Sequence, residues 1–181
     1  MAVKYKTINE AVLYNDEAIC MLNATDLQAL SDLGLATQEQ RTRLCVHDNA
    51  DSLVHEMFII HTRDTYVRPH RHRTKSESFQ VLQGSASLIL FNDTGDISQI
   101  AALGDLASGD TFYFKMPAKV WHMLVIHSEV LVFKEVTEGP FDSDDCEFPN
   151  WAPQGRHVNQ VPDYMTQINQ HIAAHHAANR E

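Results

Sequence analysis

Between residues 41 and 137 the chain alternates short apolar runs with polar turn formers, at the two-residue period of half-buried strands. The runs near 42–47, 54–61, 65–72, 78–83, 86–91, 97–101, 111–115, 121–127 and 130–137 predict strands, and many short strands at near-regular spacing are the signature of a sandwich or barrel. Asn92-Asp93-Thr94-Gly95 predicts a turn, its glycine free to take a positive φ, and Gly84 closes the strand begun by Phe79-Gln80-Val81-Leu82. Before this region, residues 25–34 predict a short helix: Leu27, Leu30 and Leu33 recur at helical spacing, Thr25 and Gln28 fit a capping box, and Gly34 ends it. A second helical turn is expected at 37–40. After the strands, residues 138–162 carry four prolines and several acids and read as an irregular excursion over the barrel surface. Helical character resumes over 163–178, where Tyr164, Ile168 and Ile172 share one face of a packing helix or dimer element.

A chain of 181 residues, 44% hydrophobic, buries one good core. The expected organisation is a helical extension over 1–40 packed on a barrel over 41–140, then an irregular segment and helix over 141–181, one structural domain overall. The formal net charge of −10 argues against a nucleic-acid partner or an anionic membrane surface, because such binders present basic faces. Cys20, Cys45 and Cys146 are odd in number and lack CxxC spacing, which predicts reduced thiols and no cysteine zinc site. The first residues have no apolar run after their lysines, and no stretch reaches the roughly 18 apolar residues of a spanning helix, so no membrane insertion and a cytoplasmic location are expected.

The residues that carry chemistry are His70-Arg71-His72, then Glu77 after four residues, Gly84 after six more, and His122 in Trp121-His122-Met123. Strand alternation points His70 and His72 to one side, near enough to hold one ion. Glu77 heads the next strand across a short turn and returns to the same face, while a fourth ligand must come from a remote strand, which His122 supplies. Three neutral imidazoles and one carboxylate suit one divalent transition metal, Fe, Mn, Zn, Ni or Co, and speak against a thiolate zinc site or an all-oxygen calcium cage.

His-x-His, four residues, Glu, six residues, Gly resembles the first metal motif of the cupin superfamily, and Pro117 followed by His122 resembles its second. Two positions depart from the pattern: Asp64 stands where the first motif opens with glycine, and Lys119 stands where the second has glycine between its proline and histidine. Neither donates a ligand. More narrowly, Arg41-Thr42-Arg43, His47, Tyr66, Pro69-His70-Arg71-His72, Lys75, Glu77-Ser78, Trp121-His122, Glu138-Gly139-Pro140-Phe141 and Trp151-Ala152-Pro153 together resemble the WbuC family of cupin-fold metalloproteins, from about residue 20 to about 155. The resemblance implies an all-β fold, a cupin double-stranded β-helix (jelly-roll barrel) with a short N-terminal helix and a C-terminal helix, a bound metal and a homodimer. Its name comes from bacterial surface-polysaccharide gene clusters and implies a substrate only by that association.

Parity extends the site. On an unbroken strand Tyr66 and Arg68 face the cavity with His70 and His72; Phe79 and Val81 accompany Glu77; Val120, Leu124 and Ile126 accompany His122, leaving Trp121 on the other side. Arg41, Arg43, Arg68, Arg71, Arg73 and Lys75 concentrate positive charge before and around the motif of an acidic chain, and at least two of them are expected to line the pocket, which predicts a small anionic ligand, since arginine grips carboxylate or phosphate in a fork. His47 matches the family and is a candidate acid or base beside Glu77. Glu56 and Glu135 lie on strands of undetermined parity, and His171, His175 and His176 read as a solvated helix face. Three functions are compatible with these residues: a Lewis-acid isomerase, epimerase or lyase acting on a sugar or small carboxylic acid, a non-haem iron oxygenase, and a non-catalytic small-molecule-binding cupin. No phosphate-binding glycine loop or Gly-x-Ser-x-Gly turn is present in the sequence.

Overall fold

The computed structural model describes residues 3–155 and 159–178. In chain order the elements are β1 (Tyr5–Asn9), β2 (Val12–Asn15), α1 (Ala24–Ala36), β3 (Arg41–Cys45), β4 (Val54–Thr62), β5 (Arg71–His72), β6 (Glu77–Gln83), β7 (Ser85–Phe91), β8 (Ile97–Gly104), β9 (Tyr113–Met116), β10 (Trp121–Ile126), β11 (Val130–Glu138), β12 (Cys146–Glu147) and α2 (Gln160–Ala178). A seven-stranded sheet runs β1-β2-β3-β4-β11-β6-β9, a three-stranded sheet runs β10-β7-β8, and β12 pairs with β5. This is an all-β fold of the cupin jelly-roll type with one helix on each flank.

Alternation along the strands divides the core into three layers. Cys45, Met57, Ile59, Phe79, Val81 and Phe133 from the larger sheet meet Ala86, Leu88, Leu103, Leu124 and Ile126 from the smaller one, and these fill the interior between the sheets. The opposite face of the larger sheet offers Leu44, Ile60 and Val132 to Leu30 of α1. The opposite face of the smaller sheet offers Ile89, Met123 and Val125, with Trp121, to Ile168 and Ile172 of α2. The predicted parity of β10 and the predicted apolar face of the C-terminal helix therefore both appear, with Trp121 outside and Leu124 and Ile126 inside.

Two features of α1 differ from expectation. Its cap is Asn23, with φ −127° and ψ 178°, and the box is closed by Asp26 rather than by Thr25 and Gln28. Asn23 Oδ1 accepts from the Thr25 and Asp26 amides at 2.8 and 3.3 Å, and Asp26 Oδ2 accepts from the Asn23 amide at 3.0 Å. Gly34 does not end the helix. A β-carbon there would stand 2.9 Å from Ile60 Cγ2, so this glycine lets α1 lie close on β4. The helix stops at Ala36, and the Thr37 hydroxyl and amide both donate to the Gly34 carbonyl, at 3.0 and 3.3 Å. Residues 37–40 form a turn and not the expected second helical turn.

The strand expected over 65–72 shrinks to Arg71–His72, with His70 joined to His122 by an isolated bridge. Pro69 lacks an amide proton to donate, which fits a segment that leaves the sheet and returns only at His70. Strands β1, β2 and β12 are additions to the predicted set.

Candidate metal centre

Reciprocal backbone hydrogen bonds, His70 N to His122 O at 3.0 Å and His122 N to His70 O at 2.9 Å, lock the two remote motifs side by side. The imidazole centroids of His70 and His122 are 4.3 Å apart, and His72 lies 5.7 Å from His70 and 6.4 Å from His122. Glu77, at the head of β6, sits between them: its Oε1 is 2.9 Å from His122 Nε2 and its Oε2 is 3.4 Å from His72 Nε2. The Lys119 amide donates to the His72 carbonyl at 2.7 Å from a turn in which Lys119 itself adopts φ 70°, the left-handed conformation for which the second cupin motif carries glycine.

Each histidine is oriented through its other ring nitrogen. His70 Nδ1 lies 2.9 Å from the Arg68 carbonyl and His122 Nδ1 lies 3.0 Å from the Val120 carbonyl. A carbonyl oxygen brings no proton, so both Nδ1 atoms carry one and both Nε2 atoms present lone pairs. His72 Nδ1 faces the Asp145 carboxylate at 3.2 Å, the carboxylate–imidazole pairing that fixes ligand tautomers at metal sites. Asp145 is itself held by the Thr74 hydroxyl and amide, at 2.6 and 2.9 Å.

Glu77 Oε1 and His122 Nε2 are buried, yet neither has a partner in hydrogen-bond alignment despite their 2.9 Å separation. Two electron-rich atoms facing each other out of water call for a cation between or beside them. Among the described residues no three His, Cys, Asp or Glu side chains already stand at the spacing of a bound ion. The donor set, its tautomers and its orphaned atoms nevertheless fit a divalent transition metal.

Charge supports the same reading. Burial alone would raise Glu77, but His122 and His72 outweigh it and hold the carboxyl well below the usual carboxylate range, so it is ionised. Burial pushes His70 down to about 3, so its ring is neutral at working pH. His72 moves the other way, raised by its hydrogen bond to Glu77 against the pull of burial.

The four residues line one cavity of about 830 Å³, within the size range of small-molecule sites. Arg41, Arg43, Tyr66 and Arg68 line it as well. The polar ends of Tyr66 and Arg68 are partly committed: the Tyr66 hydroxyl donates to the Pro153 carbonyl at 3.1 Å, and Arg68 Nη2 donates to the Pro149 and Ala152 carbonyls at 2.9 and 3.4 Å. The Arg68 guanidinium also lies 4.8 Å over the Phe148 ring, so these two side chains fasten the segment 148–153 beside the pocket.

His47 and Lys75 are not brought to the cavity. β3 ends at Cys45, so alternation does not carry His47 inward; it stacks on His55 at 4.1 Å, with Nδ1 3.1 Å from the Glu56 carbonyl. Lys75 is hydrogen-bonded to the Pro140 carbonyl on an exposed stretch. Glu56 pairs with Lys134 away from the pocket, whereas Glu135 lines it, and its carboxyl is pushed up to about 8, by loss of water first and by the Glu77 charge second. His61, Cys146 and Phe148 also line the cavity and had no motif to announce them.

Comparison with known proteins places the fold and little else. The family model described as Domain of unknown function (DUF6016) matches residues 22–103, just under half of the chain, reaching the first metal motif and stopping short of His122. No curated protein matches. Among solved structures, a Shewanella oneidensis protein is similar at 18% identity with a TM-score of 0.52, over 71% of this chain and 85% of that one. Similarity to a Planctomyces limnophilus protein is 23% in identity and 0.43 in TM-score, over 60% of this chain and 80% of that one. For a Bacillus subtilis oxalate decarboxylase the values are 18% and 0.44, over 60% of this chain, which spans only 27% of the enzyme's length. The Shewanella likeness is one of fold.

Proposed function

We propose that this cupin holds one divalent transition metal through His70, His72, Glu77 and His122 and acts there on a small anionic sugar or carboxylate, by isomerase, epimerase or lyase chemistry. The observation that carries the reading is the orientation of the imidazoles: both deeply placed Nδ1 atoms are spent on carbonyl oxygens, which frees Nε2, and the buried Glu77 and His122 atoms lack aligned partners. A divalent ion in that set would supply Lewis acidity toward a carbonyl or hydroxyl oxygen.

The remaining roles fall to the chain's own side chains. With one carboxylate among the ligands the metal-loaded site keeps net positive charge, and Arg41 and Arg43 add to it, so an anion is favoured electrostatically. Phe79, Leu124 and Phe133 form an apolar wall that keeps water from the reacting end. Glu135, inward on β11 and protonated near neutral pH, takes the proton-handling role expected of His47. A place in bacterial surface-polysaccharide metabolism follows the WbuC resemblance.

Metal analysis by mass spectrometry of untagged native protein, with His70→Ala and His122→Ala prepared alike, tests this. Near one equivalent of Fe, Mn, Zn, Ni or Co in the native chain, lost from both variants, is expected. Full retention of stoichiometric metal in either variant would refute the ligand set.

A further inference from the structure

Six buried side-chain polar atoms among the described residues have no hydrogen-bond partner: Asn15 Oδ1, His61 Nδ1, Arg68 Nε, Glu77 Oε1, His122 Nε2 and Tyr164 Oη. Four of these belong to residues that line the metal-site cavity. Unpaired buried polar groups are costly and scarce in folded proteins, so their gathering in one cavity marks what the cavity is built to receive. Glu77 and His122 are accounted for by the metal. His61 and Arg68 are not.

His61 sits on β4, with the inward parity of Met57 and Ile59. Its partner in register on β3 is Arg41, and Arg43 pairs with Ile59 one inward step along. Arg41, Arg43 and His61 thus form a polar corner on the inner face of two neighbouring strands. Arg41 has a long ion pair with Glu39, at 3.9 Å, and Arg43 makes none among the described residues. The His61 ring is fixed edge-on against Phe133, with centroids 5.3 Å apart. Burial, with Arg41 and Arg43 adding to it, pushes its pKa down to about 3, so the ring is a neutral imidazole with one donor and one acceptor nitrogen.

We propose that His61 is a substrate-binding residue that reads a hydroxyl group on a small hydroxylated anion, a sugar acid or a sugar phosphate, whose charged group is held by Arg43 and Arg41. A hydroxyl both donates and accepts, and the ring nitrogen placed to meet it is Nε2, which is not sealed off as Nδ1 is and has no hydrogen bond among the described residues. An adjacent arginine pair supplies the counter-charge. The inference rests on the proposed function in taking this cavity as the working site, but it does not need the metal.

The test is calorimetric binding to the full chain as purified, its metal content measured in parallel, using glucuronate, glucose 6-phosphate, hydroxyl-free cyclohexanecarboxylate and neutral glucose. Glucuronate or glucose 6-phosphate is expected to bind, the tighter of the two showing whether carboxylate or phosphate is the natural anion, with glucose bound far more weakly. His61→Phe is expected to weaken that anion roughly tenfold, the worth of one good hydrogen bond, while leaving cyclohexanecarboxylate binding and metal content unchanged. His61→Asn, which keeps a donor and an acceptor, retains most of the affinity. Equal effects of His61→Phe on the hydroxylated and hydroxyl-free anions would overturn the proposal, as would failure of all four probes to bind the native chain. Independently of any variant, the ¹⁵N resonances of the His61 ring should move with the hydroxylated anion and stay put with cyclohexanecarboxylate; immobility with both would overturn it too. A hydroxyl preference lost on His61→Phe in a chain without metal would sink the metal reading and leave this one standing. Metal bound with no hydroxyl preference would do the reverse.

Discussion

Asp145→Asn is the substitution whose effect on the proposed metal binding follows most directly from the geometry. Asp145 is 4% exposed, and its two oxygens divide their work: Oδ1 accepts from the Thr74 amide and hydroxyl at 2.9 and 2.6 Å, and Oδ2 accepts from His72 Nδ1 at 3.2 Å. An asparagine that keeps its oxygen toward Thr74 turns its NH₂ toward His72. Two donors then face each other, and the ring relieves the clash by moving its proton to Nε2, the nitrogen that must be bare to bind metal. Loss of such an outer partner typically costs 10–100-fold in metal affinity, about 1.4–2.7 kcal/mol, and that loss is expected here. The fold should be less affected, because the Thr74 bonds survive; Asp145→Ala, which leaves the half-buried His72 N–H without its partner while the exposed Thr74 turns to water, should lower stability by about 1–3 kcal/mol. Metal affinity is read by competition with a chromophoric chelator, and stability by denaturant unfolding of the chelated protein. If Asp145→Asn binds metal as tightly as the native chain, the tautomer argument is wrong.

The metal-free protein should be most stable near pH 6.5. Below that value the unfolded state takes up protons that His61 and His70, each pushed down to about 3, refuse in the folded state, while Glu135, pushed up to about 8, offsets one of the two; above it the raised Glu135 and His72 both lose their contribution. The net slope on the acid side is at least about 1.4 kcal/mol per pH unit, since burial also holds His47 and His127 down and both add to it, and melting curves from pH 4.5 to 8.5 that rise monotonically would contradict it. Gly95→Ala should destabilise by about 1–3 kcal/mol, since φ is +92° and a β-carbon would stand 2.7 Å from the Trp151 ring; a shift in tryptophan fluorescence should accompany the loss. Lys119→Gly should stabilise by about 1 kcal/mol by relieving a left-handed residue, measurable as a raised melting temperature. Phe133→Ala, at 1% exposure and stacked on Phe79 at 4.9 Å, should cost about 3–5 kcal/mol in denaturant unfolding.

Local periodicity made most of the sheet legible. Between residues 77 and 138 each predicted strand matches an observed one to within about three residues, because alternation is written in the strand itself and does not wait on a partner. The failures are elements whose reason lies elsewhere. β1 and β2 form an edge hairpin in which β1 is exposed along its whole length, so no apolar alternation marks it. The two-residue strands β5 and β12 exist only through each other. Gly34 looked like a helix stop because the close approach of Ile60 across the sheet is invisible in the local sequence.

The site divides along the same line. The proposed metal site was legible because three of its four residues come from one short stretch and the fourth is flagged by a β-rich run after Pro117. Orientation was not. The nitrogen that each histidine offers is decided by Arg68, Val120 and Asp145 through two backbone carbonyls and a carboxylate 73 residues away from His72 in sequence. His61 escaped and Glu135 was left open between an acid near the site and a solvated one, because a lone titratable residue on a strand has no assigned face until the facing strand gives its parity. The charge on Arg68 was visible, but its use was not: one nitrogen fastens the segment 148–153 while Nε stays buried and unpaired on a cavity-lining residue. A single guanidinium therefore joins the segment after the barrel to the cavity. An anion that draws Arg68 away from the Pro149 and Ala152 carbonyls should loosen that segment, and amide exchange at 148–153 that is unchanged by a bound anion would show that the two are independent.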